Sequence, residues 1–293
     1  MSIGIVGLGR MGSAMAQRLR QHGFDVTGWD QSADANRRLA ADGFRIAADA
    51  RGAAADAAVI ISSITEDHGA WRIFTGPAGF LADDISGKLF IEMSTLQPVT
   101  GRELAPLVVQ KGARLIDAPV LGTIPQVRDG KLFALVGGRL EDLERARPVL
   151  EKLTARIAHM GGNGAGYAMK LAVNLGLGAY VQALAESLAL GSKHGLTLDQ
   201  MLDVISEAPY ASGWLKAKLG VLKGGKAEMT LDIRTLRKDI MSAVATGAFN
   251  GVPMPLSAGT LASLSAAVAA DYGDGDLGEL PKFVRENMLQ DFA

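Results

Sequence analysis

A strand, a glycine turn, a helix and a second strand ending in an acid lie within residues 3–30, and nothing else in the chain restricts its fold as strongly. Ile3-Gly4-Ile5-Val6 reads as a buried strand. Gly7-Leu8-Gly9-Arg10-Met11-Gly12 has the GxGxxG spacing and opens a helix, and Phe24-Asp25-Val26-Thr27-Gly28-Trp29-Asp30 reads as the second strand. In a dinucleotide-binding βαβ unit, the first glycine permits the tight turn, the second lets backbone approach a pyrophosphate, and the third lets the helix lie close on the sheet. Gly7, Gly9 and Gly12 are expected in those roles, with Leu8, Arg10 and Met11 completing the phosphate turn. The helix amides and dipole then face the anion. Asp30 is placed to hydrogen-bond the adenosine ribose. An acid there repels a 2′-phosphate by about 4 kcal/mol for unit charges ~4 Å apart at an effective dielectric of about 20, which favours NAD over NADP. Arg37 and Arg38 are read as the solvated face of the next helix.

Beyond this unit, residues 58–63, 89–94, 114–118 and 132–136 are short apolar strand candidates, with a helix at 98–111 opened by Thr95 and Pro98. Alternation of this kind predicts a Rossmann-type α/β domain with a parallel sheet over residues 1–163. Ligands of such sheets bind beyond the strand C-termini, so Ser63, Ile64, Thr65, Ser94 and Thr95 are expected to line the cofactor. At Gly161-Gly162-Asn163-Gly164-Ala165-Gly166 the pattern changes, and a glycine hinge leads into an all-helical domain over 164–293. Helices are expected at 165–193, 198–206, 212–222, 229–248, 255–270 and 278–288, with no further strand.

Composition narrows the function classes. With 48% hydrophobic and 21% charged residues and a net charge of −1, the chain has no field to attract nucleic acid or an anionic membrane, so neither is an expected partner. It has no cysteine, which removes disulfides and thiol chemistry. Its four histidines are scattered without carboxylates at ligand spacing, so no metal is expected. No apolar run is long enough to span a bilayer. A first strand starting at about residue 2 leaves no room for a leader, and a cytoplasmic location is the default expectation.

Within the 165–193 segment, Lys170 and Asn174 lie four residues apart and share a helix face among apolar neighbours. Burial lowers a lysine pKa toward the range useful for proton transfer. The plainer alternative is a lysine that snorkels to solvent.

Taken with Asp117-Ala118-Pro119-Val120-Leu121-Gly122-Thr123, Gly164-Ala165-Gly166 and Lys238-Asp239, the glycine turn and this pair resemble the β-hydroxyacid dehydrogenase family, which contains 3-hydroxyisobutyrate dehydrogenase and related semialdehyde reductases. The resemblance runs through four ordered segments over nearly the full length. It implies an active site in the cleft between a Rossmann domain and a helical domain, and assembly as a homodimer or homotetramer through the latter. Lys170 matches the family's catalytic lysine, Asn174 its substrate-orienting amide and Lys238 the lysine that approaches the cofactor. Val120, Leu121, Gly122 and Thr123 match the loop that holds a substrate carboxylate. Leu121 departs from the family's usual serine; backbone amides at 122–123 or the Thr123 hydroxyl could hold the anion instead, or the substrate is bulkier or less polar. Hydride transfer between NAD(H) and a small β-hydroxy acid or semialdehyde is the expected reaction. The alternatives are NADPH-dependent reduction of an aldehyde or an imine, although imine reductases generally lack the lysine, and a non-catalytic dinucleotide-binding scaffold or sensor.

Overall fold

The computed structural model describes residues 1–225 and 229–287, in two compact units that divide after Leu171. The first unit opens with β1 (Ser2–Val6), α1 (Arg10–Gln21), β2 (Asp25–Trp29), α2 (Ala33–Ala41), β3 (Arg45–Ile46) and α3 (Ala50–Ala54). Next come β4 (Val59–Ser62), α4 (Asp67–Thr75), β5 (Leu89–Glu92), α5 (Pro98–Gln110) and β6 (Arg114–Asp117). These six strands are parallel, in the order β3-β2-β1-β4-β5-β6, so the chain reverses its winding direction between β1 and β4. That switch point opens a crevice beyond the strand ends.

Strand interiors are apolar because both faces are covered. Ile3, Ile5, Val59, Ile61, Leu89 and Ile91 pack with Leu8, Met15 and Leu19 on one side. Val6, Ile60 and Phe90 face the other, where Phe74, Phe80 and Phe90 meet at ring-centroid separations of 4.9–5.4 Å.

Beyond β6 the sheet is mixed. After β7 (Val120–Leu121) and α6 (Ile124–Asp129), β8 (Leu132–Gly137) runs antiparallel to both β6 and β7. α7 (Leu140–Leu153) returns the chain to β9 (Thr154–Gly161), which pairs parallel to β8 with two register shifts. The apolar-run criterion misses β9: its outward residues are half-buried or exposed, and Thr154-Ala155-Arg156-Ile157-Ala158-His159 has no continuous apolar stretch. β3 and β7 are two residues each and too short to register.

The division between units falls inside α8 (Ala165–Lys193) rather than at its start. The reason is local: Gly164 and Tyr167 donate their amides to Asp117 on β6, at 2.7 and 3.2 Å, so the first turn of α8 belongs to the sheet. Gly164 and Gly166 act as close-packing residues rather than as a hinge. Gly164 has φ +88°, and a Cβ on Gly166 would collide with the Leu135 carbonyl.

The second unit begins at Ala172 and continues through α9 (Leu198–Glu207), α10 (Gly213–Leu222), α11 (Ile233–Phe249), α12 (Pro255–Ala269) and α13 (Leu280–Asn287). α11 starts four residues later than its sequence pattern suggests. Asp232 caps it by accepting from Thr235 N at 2.7 Å, and also forms an isolated bridge with Asp276. A 3₁₀ turn at Leu277–Glu279 precedes α13, and Met288, the last residue of the expected 278–288 helix, lies outside the described residues. Lys218 and Asp276 form a buried ion pair at 2.7 Å, and Trp214 meets Tyr180 edge-on at 6.3 Å. Among the described residues no helix is long and apolar enough to cross a membrane.

Candidate active site

The glycine turn sits at the β1 edge of the crevice. Gly7 has φ +94° and donates its amide to Trp29 O at 2.9 Å, while a Cβ there would strike the Ser63 carbonyl. A Cβ on Gly12 would strike the Gly7 carbonyl in turn. Gly9 has open space instead, with no heavy atom within 4 Å of a built Cβ, and it precedes α1 without any side-chain cap. The first amides of α1 therefore lack partners within the helix and face that space. An uncapped helix start behind an open glycine fits a pyrophosphate.

Asp30 ties this turn to the end of β2. Its Oδ2 accepts from Leu8 N at 2.6 Å and its Oδ1 from Ser32 N at 2.7 Å. Each carboxylate oxygen keeps a further lone pair for a ribose hydroxyl. Trp29, one residue earlier, donates its indole N–H to Ala48 O at 3.1 Å. Arg37 pairs with Asp34 on the exposed face of α2, whereas Arg72 of α4 reaches Gln31 beside Asp30.

Ser63, Ile64 and Thr65 follow β4, and Ser94 and Thr95 follow β5. Ser63 N donates to Val6 O at 2.9 Å and Ile64 N to Ser94 Oγ at 2.7 Å, which draws the two strand ends together beside Gly7. Ser94 is buried, Thr95 half-buried and Thr65 exposed. Beneath them Glu92 is wholly buried and accepts hydrogen bonds from Ser94 N, the Ser94 hydroxyl and the Tyr167 phenol. Burial raises its carboxyl to about 7 in spite of those bonds. Burial also raises the Asp117 carboxyl, opposed by the amides of Gly164 and Tyr167, and holds the Tyr167 phenol well above its usual range.

In the 120–123 loop, Val120 is 7% exposed and lies in the core, so it can present only backbone to a ligand. Leu121 is half-buried and Gly122 exposed, with φ +127°. The Thr123 hydroxyl is not available to replace the missing serine. It donates to Gln126 Oε1, which also accepts the Thr123 amide at 2.9 Å, and so caps α6.

On α8, Lys170 is half-buried. One turn on, Asn174 is 5% exposed and donates Nδ2 to Asp239 Oδ2 at 2.6 Å. Lys238 lies 2.7 Å from the other Asp239 oxygen. That oxygen accepts no hydrogen bond of good geometry, so its contact with Lys238 is electrostatic. Asp239 thus joins Asn174 and Lys238, two residues 64 positions apart in the chain. Among the described residues, no group of three or more potential ligands is arranged for a metal.

A model described as the NAD binding domain of 6-phosphogluconate dehydrogenase matches residues 2–162, and one described as NAD-binding of NADP-dependent 3-hydroxyisobutyrate dehydrogenase matches 164–284. The chain is 33% identical to 3-hydroxyisobutyrate dehydrogenase of Pseudomonas aeruginosa, covering 97% of this chain and 98% of that one. It belongs to the β-hydroxyacid dehydrogenase family. Glyoxylate/succinic semialdehyde reductase 1 of Arabidopsis thaliana is 29% identical over 98% of this chain and all of that one. The solved 3-hydroxyisobutyrate dehydrogenase of Mycobacterium tuberculosis with L-serine superposes with a TM-score of 0.84 at 30% identity, over 97% and 99% of the two chains. The protein is accordingly an NAD(P)-dependent oxidoreductase acting on CH–OH groups.

Some features of the candidate site have no signal in the sequence. Glu92 reads as one acid in an apolar strand, and Tyr167 as one more large residue on a helix. Their bond spans 75 residues. Arg72 stands 41 residues from Gln31. Asp239 is visible as the neighbour of Lys238, but its hold on Asn174 is not.

Proposed function

We propose that this enzyme transfers a hydride between NAD(H) and the carbinol or carbonyl carbon of a small β-hydroxy acid or semialdehyde, with Lys170 as general acid/base. The observation that carries the reading is the pair on α8: a half-buried lysine, and one turn on a buried amide held by Asp239. Gly7, Gly9 and Gly12 hold the pyrophosphate against the start of α1. Ser63, Ile64, Thr65, Ser94, Thr95 and Lys238 line the remainder of the cofactor. The nicotinamide supplies the hydride chemistry when bound.

In the oxidative direction the neutral Lys170 amine accepts the hydroxyl proton; in the reductive direction its ammonium form returns a proton to the developing alkoxide. Asn174 fixes the substrate oxygen near that amine. With Leu121 in place of a hydroxyl, and with both the hydroxyl and the amide of Thr123 turned to Gln126, the carboxylate is left to the backbone amide of Gly122. NAD is the favoured cofactor, because Asp30 opposes a 2′-phosphate. Arg72 beside Gln31 supports a second reading, in which NADPH drives aldehyde reduction.

A screen of glyoxylate, succinic semialdehyde and 3-hydroxyisobutyrate with NAD(H) and NADP(H), followed at the reduced-nicotinamide absorbance, tests substrate class and cofactor together. Turnover with none of them removes the proposed substrate class. Lys170→Ala lowers kcat by at least about a hundredfold while NAD affinity changes little; wild-type turnover in that variant removes Lys170 from the chemistry.

We further propose a cytoplasmic homodimer or homotetramer. Met241, Phe249, Val252 and Leu256 are exposed on and between α11 and α12, and Phe249 is 83% accessible. Apolar surface of this extent suits a second copy of the chain. Light scattering coupled to gel filtration decides it, and a monomeric mass rejects it.

A further inference from the structure

Two buried side chains outside the proposed chemistry connect its two halves within the first unit. Glu92 closes β5, and its carboxylate is filled from two directions. From the cofactor side come the Ser94 hydroxyl and the Ser94 amide, at 3.0 Å for the latter. The same Ser94 oxygen accepts the Ile64 amide at 2.7 Å, so the loop after β4 rests on Glu92 through one hydroxyl. From the helix side comes the Tyr167 phenol. Tyr167 is 1% exposed and stands three residues before Lys170, one turn of α8.

The fit around the phenol ring is close. A Cβ on Gly101 would lie 3.0 Å from the Tyr167 ring, so α5 has a glycine where the ring passes. Asp117, in register with Glu92 on the adjacent strand, accepts the Gly164 and Tyr167 amides. The helix start is therefore held by two neighbouring acids: Asp117 fixes it along the strand direction through backbone, and Glu92 fixes its rotation through a side chain. Rotation about the helix axis is the degree of freedom that decides where the Lys170 amine points.

We infer that Glu92 and Tyr167 are positioning residues, a buried brace that sets the Lys170 turn of α8 and the Ile64–Ser94 cofactor edge in one fixed relation. The inference rests on the reading of Lys170 as general acid/base. Neither brace residue touches substrate; each acts through the element it holds.

The test compares Lys170→Ala, Tyr167→Phe, Ser94→Ala, Glu92→Ala and Glu92→Gln in the full chain, using NADH and whichever of glyoxylate or succinic semialdehyde turns over faster, or NAD with 3-hydroxyisobutyrate. Tyr167→Phe keeps the ring and its packing and removes only the hydroxyl. It is expected to lower kcat about tenfold, change the Kd for NADH less than about twofold, and raise the primary deuterium isotope effect on kcat as chemistry becomes limiting. Ser94→Ala is expected to weaken NADH binding instead. Glu92→Ala shows both losses, whereas Glu92→Gln, whose carbonyl still accepts the phenol, recovers kcat to within about threefold of wild type. A merely structural role would lower the melting temperature without dividing kcat from Kd in this way.

If Lys170→Ala is inactive while Tyr167→Phe keeps kcat within twofold of wild type and an unchanged isotope effect, the brace is refuted and the proton-transfer reading stands. If Lys170→Ala retains wild-type turnover, both fall. Should Glu92→Ala not fold, Tyr167→Phe alone decides.

Discussion

The two units build function from different materials. In the first, the nucleotide turn is backbone: a positive φ at Gly7, an open space at Gly9, a carbonyl pressed against Gly12, and a helix start without a side-chain cap. In the second, the corresponding feature is a side-chain cluster in which Asp239 gathers Asn174 and Lys238 from separate helices. A backbone site demands glycine at fixed spacing, because a Cβ at Gly7 or Gly12 collides with a carbonyl. A side-chain site requires only that suitable groups meet, and spacing along the chain carries little of that information. The first kind of site is intolerant of a single methyl group, while the second should yield by degrees.

The strongest way to break this contrast is at Gly12. Gly12→Ala is expected to raise the Kd for NAD at least about a hundredfold, a loss of about 3 kcal/mol; near-normal binding by calorimetry would show that the turn relaxes around a methyl. Asp239→Ala should have a smaller effect, lowering kcat/KM about 10- to 30-fold by freeing Asn174 and leaving a buried amide without its acceptor. Asp239→Asn should lose less, since an acceptor oxygen remains. If the two variants are equally impaired in steady-state kinetics, charge rather than orientation is the contribution of Asp239.

Glu92 sharpens the comparison, as a side-chain device within the backbone-built unit. Its carboxyl rises from 4.5 to about 7 on burial, so the folded state binds the proton more tightly than the unfolded chain does. The sign follows from that difference. The Glu92 contribution is most favourable below about pH 4.5, declines as pH rises toward 7, and above that is a constant cost of up to about 3 kcal/mol. Glu92→Gln should therefore gain in melting temperature relative to wild type between pH 5 and pH 8. A constant difference across that range would mean that Glu92 ionises in the folded state at its ordinary pKa.

Legibility in the sequence followed the same division. The glycine turn, the four later strand candidates and the 165–193 helix are readable because sterics and burial restrict residue type at regular intervals. Lys170 and Asn174 are readable as a pair because helical periodicity places them on one face. β9 is not, since an outer strand whose residues after Thr154 are all half-buried or exposed needs no apolar run. The N-terminus of α11 is displaced because Asp232 is drawn to cap the helix and to bridge Asp276, a partner 44 residues away. Glu92 and Tyr167 look ordinary in sequence, since nothing local marks a hydrogen bond between a strand end and a helix 75 residues on. The Gly164–Gly166 segment shows the opposite failure. Its glycines suggest freedom of motion, and the structure uses them for contact.

Trp29 ends the strand that leads into Asp30, and Trp214 packs edge-on against Tyr180 in the other unit. Indole emission overlaps the absorption of reduced nicotinamide, so each unit carries an intrinsic donor fluorophore. The chain has three tryptophans, and replacing Trp71 would leave a single donor per unit. Quenching at Trp29 then reports occupancy of the nucleotide turn, while Trp214 gives a separate optical signal from the helical unit, without any attached dye.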